Sequence, residues 1–145
     1  MDKNFSDKKR QPIFALVAVG IFMCTLDGSI VNIALPVIMR DLKISFALIE
    51  WVVLIYLFTV SSLLLSFGRL SDIKGRRWIY TRGLFLFTVG SLLCGMSTNV
   101  SWLILSRFFQ GIGASMVMAS SPAIIMDIFH NFEEWKYFHQ ENLVK

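Results

Sequence analysis

Four long apolar runs dominate this chain of 145 residues, 55% of which are hydrophobic. A helix that crosses the hydrocarbon core of a bilayer needs about 20 predominantly apolar residues. The runs occupy residues 13–36, 46–67, 78–96 and 102–126. They predict an all-α membrane protein with four transmembrane helices, and they leave no room for a separate soluble domain.

Basic residues collect at alternate ends of the predicted spans. Short loops rich in Lys and Arg stay in the cytoplasm. Arg40 and Lys43 are the basic residues of the predicted outer side. The predicted inner side holds Lys3, Lys8, Lys9, Arg10, Arg69, Lys74, Arg76 and Arg77. We therefore expect a multi-pass protein of the plasma membrane with a cytoplasmic segment 1–11 and both termini in the cytoplasm. The net charge of +4 reports this topology rather than a nucleic-acid partner.

The most charged stretch lies between the second and third runs and reads Gly-Arg-Leu-Ser-Asp-Ile-Lys-Gly-Arg-Arg at residues 68–77. Its two glycines suit a tight reversal of the backbone. By charge alone it could be an ordinary basic loop. The order of residues resembles the signature loop between spans two and three of the major facilitator superfamily of transporters. The resemblance implies a cytoplasmic gating loop whose functional residues are Gly68, Arg69, Asp72, Gly75, Arg76 and Arg77.

A carboxylate interrupts the first apolar run at Asp27. Near the centre of a bilayer such a group costs about 2.5–3.5 kcal/mol, so it marks a function or has a buried partner. Gly28, Ser29, Asn32 and Pro36 share a helical face close by, which suits helix packing or a polar cavity wall. The stretch from Leu26 to Pro36 resembles the first-span signature of drug:proton antiporters, especially their fourteen-span branch. Ser29 stands where Thr is usual there.

The fourth run carries Arg107, followed by Gln110, Gly111 and Gly113. Glycines at this spacing let a neighbouring helix approach closely. The stretch from Leu105 to Ser115 resembles the fourth-span signature of proton-coupled members of the superfamily, in which the arginine is linked to proton transfer. The resemblance implies that Gln110 is a polar group of the cavity. The other interpretation of Arg107 is a cation that reaches back to the outer interface.

Asp27 and Arg107 are expected at similar depths in the membrane. A helix rises about 1.5 Å per residue, which puts Arg107 roughly 8 Å and Asp27 roughly 12 Å below the outer ends of their spans. We therefore predict that Asp27 and Arg107 approach one another, with the arginine holding the carboxylate ionised.

The resemblance covers about residues 12–129, and segment 130–145 does not continue it. The superfamily has twelve or fourteen spans in two domains, so four spans correspond to part of an N-terminal domain. We expect a transporter fragment that resembles a proton-coupled multidrug efflux antiporter and is inactive alone. Its implied partners are the lipid bilayer, small amphipathic substrates, protons, and a second copy or a C-terminal portion.

Two alternatives stay open. The chain could be a complete small multidrug exporter that works as a dimer of four-span subunits. It could also be a membrane fragment that does not transport, and that pairs with a relative through Gly111 and Gly113. The sequence predicts no enzyme, cofactor or metal site, because no nucleophile and base stand together and no metal-ligand set occurs.

Overall fold

The chain folds into α-helices, as seen in a computed structural model. The structure describes the backbone of residues 3–41 and 43–143, and the side chains of residues 13–41 and 43–127. Within these ranges there is no β-strand. The helices are α1 (Lys3–Asp41), α2 (Phe46–Lys74), α3 (Arg76–Gly95) and α4 (Val100–Leu143). The predicted all-α class is confirmed.

The four predicted spans are also confirmed. Each helix contains a stretch long and apolar enough to cross a membrane, and these stretches are Ile13–Asp41, Phe46–Lys74, Arg76–Gly95 and Val100–Asp127. The first two are longer than predicted, because helical structure continues past Pro36 and past Phe67. The backbone of segment 130–143 continues α4, whereas its side chains, including those of His130 and His139, lie outside the described residues.

Helix α4 is the centre of the bundle and contacts the other three helices. In its most apolar stretch 56% of the residues are buried, against 28% in α3 and 17% in both α1 and α2. The main core joins α1, α3 and α4, and its buried residues are Val17, Cys24, Tyr80, Phe87, Ala114, Val117 and Ile124. A second core at the other end joins α2 and α4 through Ile49, Val52 and Leu103.

The prediction of a loop at residues 68–77 is wrong, because most of this segment is helical. Helix α2 continues to Lys74, and Gly75, with a φ of 97°, is the one residue between α2 and α3. The hydroxyl of Ser71 donates to the carbonyl of Gly68 at 2.7 Å, and the amide of Gly75 donates to the carbonyl of Ser71 at 3.0 Å. These bonds satisfy the last turn of α2 without a loop. Gly68 therefore makes no reversal, and Asp72 lies in the last turn of α2.

A tyrosine of α3 fixes α1 in place. The Tyr80 hydroxyl donates a hydrogen bond of 2.8 Å to the carbonyl of Leu16. A Cβ atom at Gly20 would collide with that hydroxyl, so the contact depends on the missing side chain at Gly20. Helix α3 buries one face, which includes Tyr80 and Phe87.

We expect the substitution Tyr80→Phe to lower the free energy of unfolding by about 1 kcal/mol, because it removes one buried hydrogen bond and leaves the ring in place. Unfolding of the purified chain by sodium dodecyl sulfate in mixed micelles measures this change. The matched control is Thr88→Val, since the exposed Thr88 hydroxyl bonds only to the carbonyl of Leu84 in its own helix. An equal loss in both variants would contradict the α1–α3 contact.

Candidate functional site

An ion pair joins α1 to α4 inside the bundle. Nη1 of Arg107 donates to Oδ2 of Asp27 at 2.7 Å, and the two side chains are only 9% and 15% exposed. The prediction that these residues approach one another is confirmed. At this separation the attraction between unit charges is strong wherever water is excluded. The pair therefore compensates the cost of holding each charge within a membrane span.

Gln110 donates a second hydrogen bond to the carboxylate and extends the site to α3. Its Nε2 donates to Oδ1 of Asp27 at 2.9 Å and to Oγ of Ser91 at 2.8 Å. The thiol of Cys94 lies 3.7 Å from Oε1 of Gln110 and donates to it. Both amide hydrogens and the amide oxygen thus have partners on α1 and α3. Gln110 is fully buried, so these contacts fix its orientation.

Ser91 and Cys94 were missed as site residues by the sequence analysis. Gly90 is the sequence signal that could have indicated them. An ideal Cβ at Gly90 would lie 2.7 Å from Cα of Gln110. The absence of that atom lets α3 approach α4 at the level of Gln110 and brings the neighbouring hydroxyl of Ser91 within reach.

A cavity of about 320 Å³ opens beside the ion pair, between α1, α2 and α4. Asp27 and Arg107 form part of its wall, and Tyr56 faces the arginine with its ring centroid 5.9 Å from Cζ. Nε of Arg107 is buried and has no hydrogen-bond partner among the described residues. The other lining residues are Thr25, Gly28, Ser29, Val31, Asn32, Val52, Val53 and Leu57. The cavity therefore combines charged, polar and apolar surface.

The polar face of α1 lines this cavity. Asn32 and Ser29 are exposed there. The packing prediction for Gly28 does not hold among the described residues, because an ideal Cβ at Gly28 meets nothing within 4 Å. The reason is that α2 stands off from α1 at this level and leaves the cavity between them.

The predicted packing glycines of α4 lie at close helix contacts. A Cβ at Gly111 would lie 3.0 Å from Cβ of Thr59 and 3.2 Å from the carbonyl oxygen of Tyr56, both on α2. A Cβ at Gly113 would collide with the backbone amide of Phe87 on α3. The two glycines therefore bring α2 and α3 against opposite sides of α4.

The basic signature segment lies at the end of the bundle where α2 meets α3. Arg76 reaches α4, where its Nη1 donates to the carbonyl of Ala123 at 3.1 Å and to the carboxylate of Asp127. Its Nε and Nη2 also face Oδ1 of Asp72 at 3.4 Å. The guanidinium thus ties the adjoining ends of α2 and α3 to α4. Arg77, the next residue, is exposed.

Gly68, Arg69 and Asp72 line a second cavity of about 530 Å³ between α2 and α4. It is distant in sequence from the ion pair and lies at the Arg76 end of the helices. Among the side chains that the structure describes, no three His, Cys, Asp or Glu residues cluster closely enough to hold a metal ion.

Comparison with known proteins identifies the family. Residues 17–135 match the family model of the Major Facilitator Superfamily. The riboflavin transporter RibZ of Clostridioides difficile is 46% identical over 129 residues, which are 89% of this chain and 28% of that protein. The multidrug transporter protein MdtP of Bacillus subtilis is 34% identical over 137 residues, which are 94% of this chain and 25% of that protein.

The multidrug resistance protein Stp of Mycobacterium tuberculosis is 36% identical over 127 residues, which are 86% of this chain and 24% of that protein. The chain thus spans about a quarter of the length of these three relatives. The match covers most of the chain, including all of the residues that form the ion pair and its surroundings. This chain is a membrane protein that belongs to the major facilitator superfamily, of which it represents a partial, four-span portion.

Proposed function

We propose that this chain forms part of a proton-coupled exporter of small amphipathic compounds, in which Asp27 carries the coupling proton. The observation that supports this most directly is the carboxylate of Asp27, bonded to Arg107 at 2.7 Å and to Gln110 at 2.9 Å on a cavity wall. An ionisable group in this position is costly unless it has a function or a partner. Here it has a partner that a proton can replace.

The chemistry is a competition for the carboxylate. While Asp27 is ionised, it holds Arg107 and joins α1 to α4. A proton on Asp27 removes the negative charge, so the attraction to Arg107 disappears and the contact between the helices weakens. A cationic substrate in the cavity would have the same effect by drawing the carboxylate away. Proton and substrate would therefore bind alternately and not together, as an antiporter requires.

The cavity supports an amphipathic substrate. Tyr56, Val52 and Leu57 offer apolar surface, and Asn32 and Ser29 offer hydrogen-bonding groups beside the ion pair. The names of two relatives, a multidrug transporter and a multidrug resistance protein, agree with this class. In the proposal the remaining walls come from a C-terminal portion or from a second copy, because the chain spans only about a quarter of those relatives.

The proposal places the segment from Gly68 to Arg77 on the cytoplasmic side of the plasma membrane. Its support is the excess of Lys and Arg there over the opposite end, where Arg40 and Lys43 lie. Both termini are then cytoplasmic. Arg76 would act in gating by fastening the adjoining ends of α2 and α3 to α4 through Asp72 and Asp127, and its neighbours Arg69 and Arg77 would face the cytoplasm.

A second substrate class is favoured by one specific observation. The identity to the riboflavin transporter, 46%, exceeds the 34% and 36% found with the two multidrug relatives. The proposed exporter could then carry a flavin, which is a planar heteroaromatic compound with polar substituents. Transport assays should therefore include riboflavin beside a cationic dye such as ethidium.

The proposal predicts loss of coupled transport in Asp27→Asn. The test replaces the matching segment of the Bacillus subtilis multidrug transporter with residues 17–127 of this chain and follows dye efflux from energised cells and proton release in vesicles. We expect the parent chimera to transport, and coupled efflux by Asp27→Asn to fall to the background of cells without the transporter, because an amide cannot take up and release the coupling proton.

The matched control is Asp41→Asn, which removes an exposed carboxylate at the end of the same helix. It should transport like the parent. Full efflux by Asp27→Asn would refute the coupling role. Transport by the 145-residue chain alone would favour the complete four-span exporter that works as a dimer. A well-folded chimera that moves neither dye nor riboflavin would favour the non-transporting fragment.

A further inference from the structure

A tryptophan at the start of α3 carries two cations on its ring. Trp78 is 46% exposed. Nζ of Lys74 lies 5.7 Å from the ring centroid, and Cζ of Arg82 lies 5.1 Å from it. Both distances are within the range of cation–π attraction. The exposed ring of Trp78 therefore attracts two like charges.

These charges are not neutralised by the part of the chain that the structure describes. Lys74, Arg77 and Arg82 form no ion pair with any described carboxylate, and all three are exposed. Arg76 differs, because it forms ion pairs with Asp72 and with Asp127 of α4. One end of the bundle thus presents three exposed positive charges, two of which lie on the Trp78 ring. An anion placed there would relieve their mutual repulsion.

Lys74 and Arg77 lie next to the connection between two candidate membrane spans, and Arg82 lies six residues past the start of the third span. Lys74 ends the second candidate span, and the third span begins at Arg76. Trp residues favour this depth, where an apolar ring meets polar headgroups. An anion at this depth is presented either by a phospholipid headgroup or by phosphate from solution, and both would offer the same phosphate oxygens.

An apolar stripe continues from the charged group along α3. Positions 78, 82, 85, 89 and 92 recur at intervals of four and three residues, so they share one face of the helix. On that face Phe85, Val89 and Leu92 are exposed, at 69%, 36% and 64%. The stripe leads from the cations toward the middle of the span. A ligand with a phosphate and an acyl chain fits both the cations at Trp78 and the apolar stripe. Free phosphate would contact only the cations.

We propose that this face of α3 is a binding site for an anionic phospholipid. The phosphate lies between Lys74 and Arg82 at the edge of Trp78, with Arg77 close by. One acyl chain lies along Phe85, Val89 and Leu92. A zwitterionic lipid binds less tightly, because its own cation competes with the protein's cations for the phosphate.

Fluorescence of Trp78 tests the proposal on the 145-residue chain. A single-tryptophan variant is made by replacing the other three tryptophans with phenylalanine, at Trp51, Trp102 and Trp135. The chain is reconstituted in phosphatidylcholine vesicles with a minor fraction of brominated phosphatidylglycerol or brominated phosphatidylcholine, and quenching gives the relative affinity. We expect a clear preference for phosphatidylglycerol, and a fall of about fivefold in that preference for each charge removed in Lys74→Gln and Arg82→Gln.

Three controls make the test specific. Arg69→Gln removes an exposed cation from the same end of the bundle, away from Trp78, and should keep the preference. Arg82→Lys keeps the charge and should retain most of it. A variant with Trp51 as its one tryptophan reports the opposite end of α2 and should show no preference.

Equal quenching by both lipids in the parent chain would overturn the proposal. An equal loss of preference in Arg69→Gln and Lys74→Gln would also overturn it, because the effect would then be general surface charge. Loss of the preference on adding soluble glycerophosphate would assign the site to free phosphate and not to a lipid. Circular dichroism of each variant establishes that its helices are intact.

Discussion

Replacing Arg107 with alanine is expected to lower the free energy of unfolding by about 3–5 kcal/mol, because it leaves the carboxylate of Asp27 buried without its cation. Asp27 is 15% exposed and keeps only the hydrogen bond from Gln110 in this variant. The loss also removes the packing of the guanidinium over Tyr56. Unfolding of the purified chain by sodium dodecyl sulfate, followed by circular dichroism, measures the change.

A double-mutant cycle separates the ion pair from the loss of side-chain volume. Adding Asp27→Asn to Arg107→Met removes both charges, and we expect it to recover much of the stability lost in Arg107→Met alone. The control Arg40→Ala removes an exposed arginine at the end of α1 and should change little. Strict additivity of the two substitutions would show that the two charges do not interact.

The substitution Gly113→Ala is expected to separate α3 from α4 and to lower the free energy of unfolding by about 1–3 kcal/mol through overpacking. The added Cβ would lie 2.8 Å from the carbonyl oxygen of Gly83 and from Cα of Phe87, and closer still to the Phe87 amide. These are backbone atoms, so a change of rotamer cannot relieve the clash. The whole of α3 has to move, and Ser91 moves away from Gln110 with it.

The same unfolding assay reports this separation as a lowered free energy of unfolding. Gly95→Ala is the matched control, because it adds the same methyl group to α3 at a position with nothing within 4 Å. It should leave stability unchanged or raise it slightly, as Ala restricts the unfolded chain. Equal effects of the two substitutions would contradict the close contact of α3 and α4 at Gly113.

The membrane spans and the central ion pair could be predicted because each depends on a one-dimensional property. Span lengths follow from apolar runs and the thickness of a bilayer. The meeting of Asp27 and Arg107 follows from matched depth and from the cost of leaving either charge alone. Neither inference requires knowing how a helix is rotated about its axis, that is, which of its faces points toward the neighbouring helices.

The contacts that α3 adds to the site depend on that rotation and could not be predicted. Helix α3 looks equally apolar on all sides, so its sequence does not say that Ser91 and Cys94 face Gln110. The contact of Tyr80 with Leu16 likewise depends on a gap at Gly20 in another helix. The prediction of a loop at residues 68–77 was wrong for a different reason. Charge sets its position near the membrane surface, whereas the backbone bonds up to Gly75 let α2 continue through most of it.

The single-residue connection at Gly75 limits how α2 and α3 can move relative to each other. Lys74 and Arg76 are two Cα–Cα steps apart, each of about 3.8 Å, so the adjoining ends of the helices cannot part by more than about 7 Å. Sliding of one helix along the other is therefore blocked at this end. The motion that remains is a fanning of the two helices about Gly75 as a pivot, with the largest displacements at their far ends, near Phe46 and Gly95. Helices α2 and α3 thus form a hinge at Gly75, which lies between two candidate membrane spans.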